Sequence, residues 1–318
     1  MIYIYRNTYL EINLNNITNN VKKIINTYNT YKYYFGVVKA DCYGHGDILP
    51  IKAMLKAGIN YLCVATLEEA LTIRKAIPAI PILVFGLIKK EHINICISNN
   101  ITITINNLEH LNSLLEIPNN NLKIHIKINS GMNRLGIKSS IELDKVIEKI
   151  NNSNLILEGL YTHIHTPTNR EETEKQIDKF KEITANINYN NIPIIHLGAS
   201  EATINYDKLS FVNGCRLGII MYGLCPNNLN LESTLKLYSE VIAINECQKG
   251  ETVGYNGNYK VTKDSKIAVI SIGYADGIIR KNTNRSIYIN NKKYKIVGNI
   301  CMDMLFALVD NKVKVGDK

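Results

Sequence analysis

Residues 35–85 read FGVVKADCYGHGDILPIKAMLKAGINYLCVATLEEALTIRKAIPAIPILVF, and this stretch decides the fold. Three apolar, β-branched runs, Phe35–Lys39, Tyr61–Ala65 and Ile80–Phe85, alternate with two segments of helical spacing, Ile48–Ala57 and Leu67–Ala76. A run that is apolar at every position buries both faces, which is the condition of a parallel strand covered by helices. The same beat continues downstream. Strands are expected at Ile101–Ile105, Leu122–Asn129, Leu157–Ile164, Ile192–Leu197 and Phe211–Gly218, and helices at Ser140–Ile150 and Arg170–Ile187. Strands alternating with crossover helices in this number predict the α/β class, as a (β/α)8 TIM-type barrel; an open doubly wound sheet usually has fewer strands. Asn15–Tyr28 reads as a further helix on the outside.

After residue 225 the rhythm changes. Short strands are expected at Leu237–Ile244, Lys266–Ile272, Ser286–Ile289 and Lys295–Val297, with turn chemistry at Gln248–Gly250, Asn256–Gly257 and Asn290–Asn291. The predicted domains are 1–225, an opening segment and the barrel, and 226–318, an all-β domain. The last residues, Val315-Gly316-Asp317-Lys318, read as the turn of an unfinished hairpin, so the β-domain is expected to be incomplete.

Composition narrows the function. With 46% hydrophobic and 20% charged residues, the 318-residue chain is globular and not a disordered tail. No apolar run approaches the ~20 residues of a membrane span, and the N-terminus lacks the design of a secretory signal. No membrane association and a cytoplasmic location follow as expectations. The seven cysteines, at 42, 63, 96, 215, 225, 247 and 301, form no C-x-x-C pair, which predicts reduced thiols and no metal site. The net charge of +9 invites nucleic acid, but the lysines are spread along the chain among acids, and no nucleic-acid partner is expected.

A barrel of this kind carries its chemistry where strands end. The first strand runs into Lys39-Ala40-Asp41-Cys42-Tyr43-Gly44-His45-Gly46. A lysine there is either a Schiff-base nucleophile activated by burial or a side chain snorkelling out of the mouth. Lys127 and Arg134 follow the fifth strand, where the arginine fork suits a carboxylate and simple pairing with local acids is the competing reading. Alternation puts His163 and His165 on one side of the sixth strand, where a histidine stacks on an aromatic ligand or packs without one. Ser200 falls where a helix should begin, as phosphate ligand or helix cap. Arg216, Gly218 and Ile219 follow on the last strand, beside the usual phosphate corner of such barrels. A lysine, arginines, a histidine and a phosphate corner around one mouth suit pyridoxal phosphate.

With these motifs in place, the chain resembles the alanine racemases across essentially its whole length. Val37 to Gly46 looks like the cofactor-lysine motif of that family and Arg6 to Ile12 like its opening segment. Lys127 to Gly136, Arg216 to Ile219 and Met221-Tyr222-Gly223 also match, as do Val253 to Asn256, Gly273 to Gly277 and Cys301-Met302-Asp303. The resemblance implies that Lys39 carries pyridoxal 5'-phosphate as a Schiff base. It implies that Tyr43, Ser200, Gly218 and Ile219 hold the phosphate, that His163 packs on the ring and that Arg216 meets the ring nitrogen. Arg134 and Met302 would orient the substrate carboxylate, and Lys127 would be open to carbamylation. Lys39 and Tyr255 would be the two catalytic bases, with Tyr255 entering from the partner of a homodimer with shared sites. The implied function is interconversion of L- and D-alanine, supplying D-alanine for peptidoglycan. The alternatives are a racemase of another small amino acid and a catalytically impaired fragment. A decarboxylase of the same fold group and a non-catalytic cofactor carrier fit less well, because of the Tyr255 and Met302 motifs. The chain departs from the family at Asn129-Ser130, at Leu197 to Ser200 and over 203–213.

Overall fold

The computed structural model describes residues 5–46, 48–118, 121–224 and 229–318. They form two compact units, Asn13–Thr234 and the described part of Met1–Ile12 with Leu235–Lys318.

The first unit is the expected barrel. Eight parallel strands, Tyr33–Val37, Tyr61–Val64, Ile82–Val84, Ile101–Ile105, Lys123–Lys127, Ile156–Tyr161, Ile194–His196 and Gly214–Leu217, form a closed sheet. The last closes on the first in the register Tyr33↔Gly214 to Gly36↔Leu217. Most strands are shorter than the apolar runs that announced them. The reason is burial without pairing: Val38, Ile128, Ile164 and Leu197 lie past strand ends yet remain buried. Apolarity reports burial, not hydrogen bonding, so it overshoots the ladder.

The helices Leu14–Thr27, Ile48–Lys56, Leu67–Ala76, Ser140–Asn151 and Arg170–Ile183 stand close to the expected spans. The helix expected to begin at Ser200 is Ser200–Asn205, whereas the shorter helices Ile93–Ser98 and Leu108–Leu115 have too few turns for a clear period in the sequence. Capping fixes where the chain turns helical. Asn13 accepts from the backbone N–H of Asn16, and Thr66 and Glu69 form a reciprocal capping box.

In the second unit the strands Val241–Cys247, Ser265–Ile270, Leu305–Val309, Lys292–Val297 and Ser286–Ile289 follow one another, in that spatial order, across an antiparallel sheet. Asn290 and Asn291, both at positive φ, make the tight turn of its edge hairpin. Two features correct the sequence reading. The expected strand Leu237–Ile244 is divided between Leu235–Tyr238 and Val241–Cys247, and the central strand Leu305–Val309 was missed. The opening strand Tyr9–Ile12 pairs with Leu235–Tyr238, so this segment groups with residues 235–318 and not with the barrel. The boundary expected at 225/226 falls on Cys225 and Pro226, outside the described residues. Among the described residues no helix is long and apolar enough to cross a membrane.

Candidate active site

A cavity of about 450 Å3 opens at the C-terminal ends of the barrel strands. Lys39, Tyr43, Lys127, Arg134, His163, Ser200, Arg216, Gly218 and Ile219 all line it, so the barrel residues singled out in the sequence come together at one mouth. Tyr255 and Met302 belong to the other unit, where they are 64% and 58% exposed.

The backbone after the first strand is unusual. Ala40, Asp41, Cys42 and Tyr43 all adopt left-handed helical angles, with φ of 50°, 54°, 51° and 58°. For L-residues this costs roughly 1–2 kcal/mol each. Several contacts hold it. Glu69 Oε1 accepts the Ala40 N–H at 2.7 Å while its Oε2 accepts the Ala65 N–H at 2.7 Å. Cys42 is buried, and the Gly46 N–H closes on the Asp41 carbonyl at 3.1 Å. The turn places both Lys39 and Tyr43 on the cavity wall. Lys39 is half-buried, between the burial and the snorkelling that its place at a strand end allows.

Charge in the cavity is strongly one-sided. Lys39, Lys127, Arg134 and Arg216 line it against one carboxylate, Glu201. Neither the Lys127 ammonium nor the Arg134 guanidinium has a hydrogen-bond or ion-pair partner among the described residues; Lys127 Nζ only stands 5.6 Å over the Tyr161 ring. Burial, then Arg134, Arg216 and Lys39, lowers the Lys127 pKa to about 8. Burial and the same group of cations lower that of His163 to about 3. His163 is therefore a neutral imidazole, and His163 Nδ1 lies 3.4 Å from Arg216 Nη2. His165, expected on the same side of a strand as His163, follows a strand that already ends at Tyr161, and Gln176 Oε1 holds its Nδ1 at 2.7 Å.

Arg216 is fixed on its Nη edge. Nη1 donates to His196 Nδ1 at 2.6 Å and to the His196 carbonyl at 2.9 Å. Nη2 donates to the carbonyls of Thr162 at 2.8 Å and Leu197 at 2.9 Å. Of its five donors, only Nε–H has no partner among the described residues. Nothing in the sequence pattern assigns a role to His196 and its buried neighbours. A polar residue inside an apolar strand was the available signal.

Ser200 does not cap its helix; the capping position is Ala199. Its Oγ instead accepts the Gly218 N–H at 3.0 Å, which leaves the hydroxyl proton to donate elsewhere. Gly218 leaves room where a side chain would intrude, because a Cβ there would lie 2.9 Å from Tyr43 Oη. Ile219 opens a 3-10 turn, whose first N–H groups have no partner inside the turn.

Residues 12–226 match the family model for the alanine racemase N-terminal domain, and residues 234–318 that for the alanine racemase C-terminal domain. The chain belongs to the alanine racemase family. Alanine racemase 1 of Bacillus subtilis is 34% identical over 99% of this chain and 83% of its own length. The alanine racemase of Methanococcus maripaludis is 37% identical over 96% of this chain and 86% of its own length. Among solved structures, the alanine racemase of E. faecalis superposes with a TM-score of 0.94 at 30% identity, covering 100% of this chain and 89% of that one. The alanine racemase of Bacillus anthracis with bound L-Ala-P gives 0.92 at 32% identity, over 99% of this chain and 85% of that one. Membership of this racemase family gives the barrel-mouth cavity its context: an enzyme site in which cations, a neutral histidine and a serine–glycine corner surround one lysine.

Proposed function

We propose that this chain interconverts L- and D-alanine with pyridoxal 5'-phosphate bound at the barrel mouth. The observation that carries the reading is the pairing of Lys39, set on a strained left-handed turn, with a cavity whose other groups suit an aromatic phosphate. The fit is chemical. The Ser200–Gly218 corner with Tyr43 supplies neutral donors and a cradle that a Cβ would fill. The surplus of cations suits a dianion and a carboxylate. When bound, the cofactor supplies an electron sink for the charge left as the substrate's Cα proton departs.

The residues then divide the work. Lys39 would hold the cofactor covalently at rest, and its ε-amine, released when the substrate's amine takes its place, would take or return the Cα proton on one face. Tyr43, Ser200 and the backbone of Gly218 and Ile219 bind the phosphate. Arg216 offers Nε–H to the ring nitrogen. An arginine does not give up its proton, so that nitrogen stays unprotonated. Neutral His163 packs against the ring without adding charge. Arg134, at the rim, orients the substrate carboxylate. Racemisation needs a second base on the opposite face. Tyr255, exposed in its own chain, serves as that base from the partner subunit of a homodimer, with Met302 beside the carboxylate. Lys127, with its pKa lowered to about 8, is unprotonated in roughly a tenth of the molecules at pH 7. An amine in that state adds to CO2 and releases a proton, which would give a carbamate anion next to Arg134. The product serves the cell's supply of D-alanine for peptidoglycan, and the chain works in the cytoplasm.

The test is chemical trapping. Borohydride reduction after incubation with pyridoxal phosphate should fix the cofactor on Lys39, read by peptide mapping. Labelling at another lysine, or none at saturating cofactor, would contradict the reading.

A further inference from the structure

A line of buried polar groups runs from the cavity through the barrel interior. Arg216 Nη1 meets His196 Nδ1 at 2.6 Å, His196 Nε2 meets His125 Nδ1 at 3.0 Å, and His125 Nε2 meets Glu158 Oε2 at 3.3 Å. His125 and His196 are fully buried. At the far end Glu158 also accepts from Tyr61 at 2.6 Å and Thr102 at 3.1 Å, and pairs with Lys123 at 3.1 Å. Lys123 opens the strand that Lys127 ends, so the line reaches from the mouth of the barrel to its opposite end.

The protons on this line are determined by its ends. Arginine has donors only, so His196 Nδ1 must be a lone pair and its proton sits on Nε2. That proton points to His125 Nδ1, which must also be a lone pair. The His125 proton then sits on Nε2 and points to the Glu158 carboxylate, an acceptor. Burial lowers the pKa of both histidines. Burial raises that of Glu158, but its bonds from His125, Tyr61 and Lys123 outweigh this and hold it at about 2. The line is thus two neutral imidazoles oriented between a fixed cation and a fixed anion. The surroundings are shaped for it. A Cβ on Gly159 would lie 2.4 Å from the His125 ring. His196 stacks between Tyr161, at 4.7 Å, and Phe35, at 4.5 Å.

We propose that Glu158 and His125 are positioning residues for the racemase reaction, which lock the tautomer of His196 and through it hold Arg216 with Nε–H directed to the cofactor. This rests on the function proposed above. A ring of carbonyls alone would satisfy Arg216 but would leave the His196 ring free to present either nitrogen. With the relay intact, only one edge of the guanidinium is left for the cavity.

The test uses the whole chain and two variants. Histidine-selective 15N NMR of the cofactor-free protein near neutral pH reads the tautomers directly, and the variants assign the signals. His125 and His196 should both be neutral with the proton on Nε2. A proton on Nδ1 of His196, or a doubly protonated ring at either position, would overturn the proposal. The variants separate positioning from packing. His125→Asn keeps an acceptor near the Nδ1 position, whereas His125→Leu keeps apolar volume and has none. Positioning predicts that His125→Leu loses at least about tenfold in kcat with little change in KM, and that His125→Asn keeps most of the rate. A leucine variant equal to or faster than the asparagine one would overturn the proposal. Should the wild-type chain racemise nothing, the function reading fails, and the tautomer spectrum alone decides on the relay.

Discussion

Gly218 and Tyr43 face each other so closely that a Cβ on the glycine would stand 2.9 Å from the tyrosine hydroxyl. Both line the same cavity as Ser200, whose Oγ accepts the Gly218 N–H. Gly218→Ala should therefore displace Tyr43 and disturb one donor to the phosphate. A hydrogen bond to a charged group contributes roughly 1.5–3 kcal/mol, so cofactor affinity should fall by about 10- to 100-fold. An absorbance titration checks this. Unchanged affinity would remove the pair from the phosphate site.

The left-handed turn makes a prediction of unusual sign. In ordinary structure Ala→Gly destabilises, but Ala40 has φ 50° and ψ 53°, where glycine carries no Cβ penalty. Ala40→Gly should raise the unfolding free energy, by an amount on the order of 1 kcal/mol at most, as measured by denaturant titration. A loss of stability would show that the turn is not strained.

How much of this was legible follows from particular residues. Lys39, Ser200 and Arg216 could be placed because each ends or follows an apolar run, and the eight-strand beat says where those runs meet. The left-handed turn could not be read. Gly44 and Gly46 announce positive φ, but Ala40, Asp41, Cys42 and Tyr43 adopt it too, through contacts with a helix that starts more than twenty residues later. His125 and Glu158 were hidden for a different reason. They lie on separate, neighbouring strands, and His125 reaches over Gly159 of the strand between to meet His196 while its other nitrogen meets Glu158. The central β-strand Leu305–Val309 was overlooked although its burial alternates as strand periodicity requires.

Lys127 predicts a pH dependence of stability. Its folded pKa, about 8, lies below the ordinary lysine value of 10.5, so the unfolded chain binds the extra proton between those values. Stability must then rise as pH increases through this window, by up to about 3 kcal/mol for this group, and the penalty is fully present below pH 8. Lys127→Met should be more stable than the wild type at neutral pH in CO2-free buffer, with the difference shrinking as pH approaches 10.5. Chemical denaturation across that range is the measurement. Added bicarbonate should narrow the gap at neutral pH if the amine is carbamylated, because the buried ammonium is then gone.

The shared site predicts complementation. Lys39→Ala and Tyr255→Phe should each be nearly inactive as homodimers. Mixed dimers carry one wild-type site out of two if Tyr255 serves the partner's barrel, and should recover up to about half of the wild-type rate per dimer. Absence of recovery in a verified mixed dimer would place Tyr255 and Lys39 in the same subunit's site, or Tyr255 outside the chemistry.

Two-base racemisation of alanine is read most directly by proton exchange. Incubate the full chain with pyridoxal phosphate and L-alanine in deuterated water, then follow optical rotation and the Cα–H signal. Two-base racemisation gives D-alanine, deuterium at Cα of the product, and selective slowing of the L-to-D direction's proton abstraction by Tyr255→Phe. A protein with cofactor bound at Lys39 that forms no D-alanine, or one that racemises equally well without Tyr255, would contradict it.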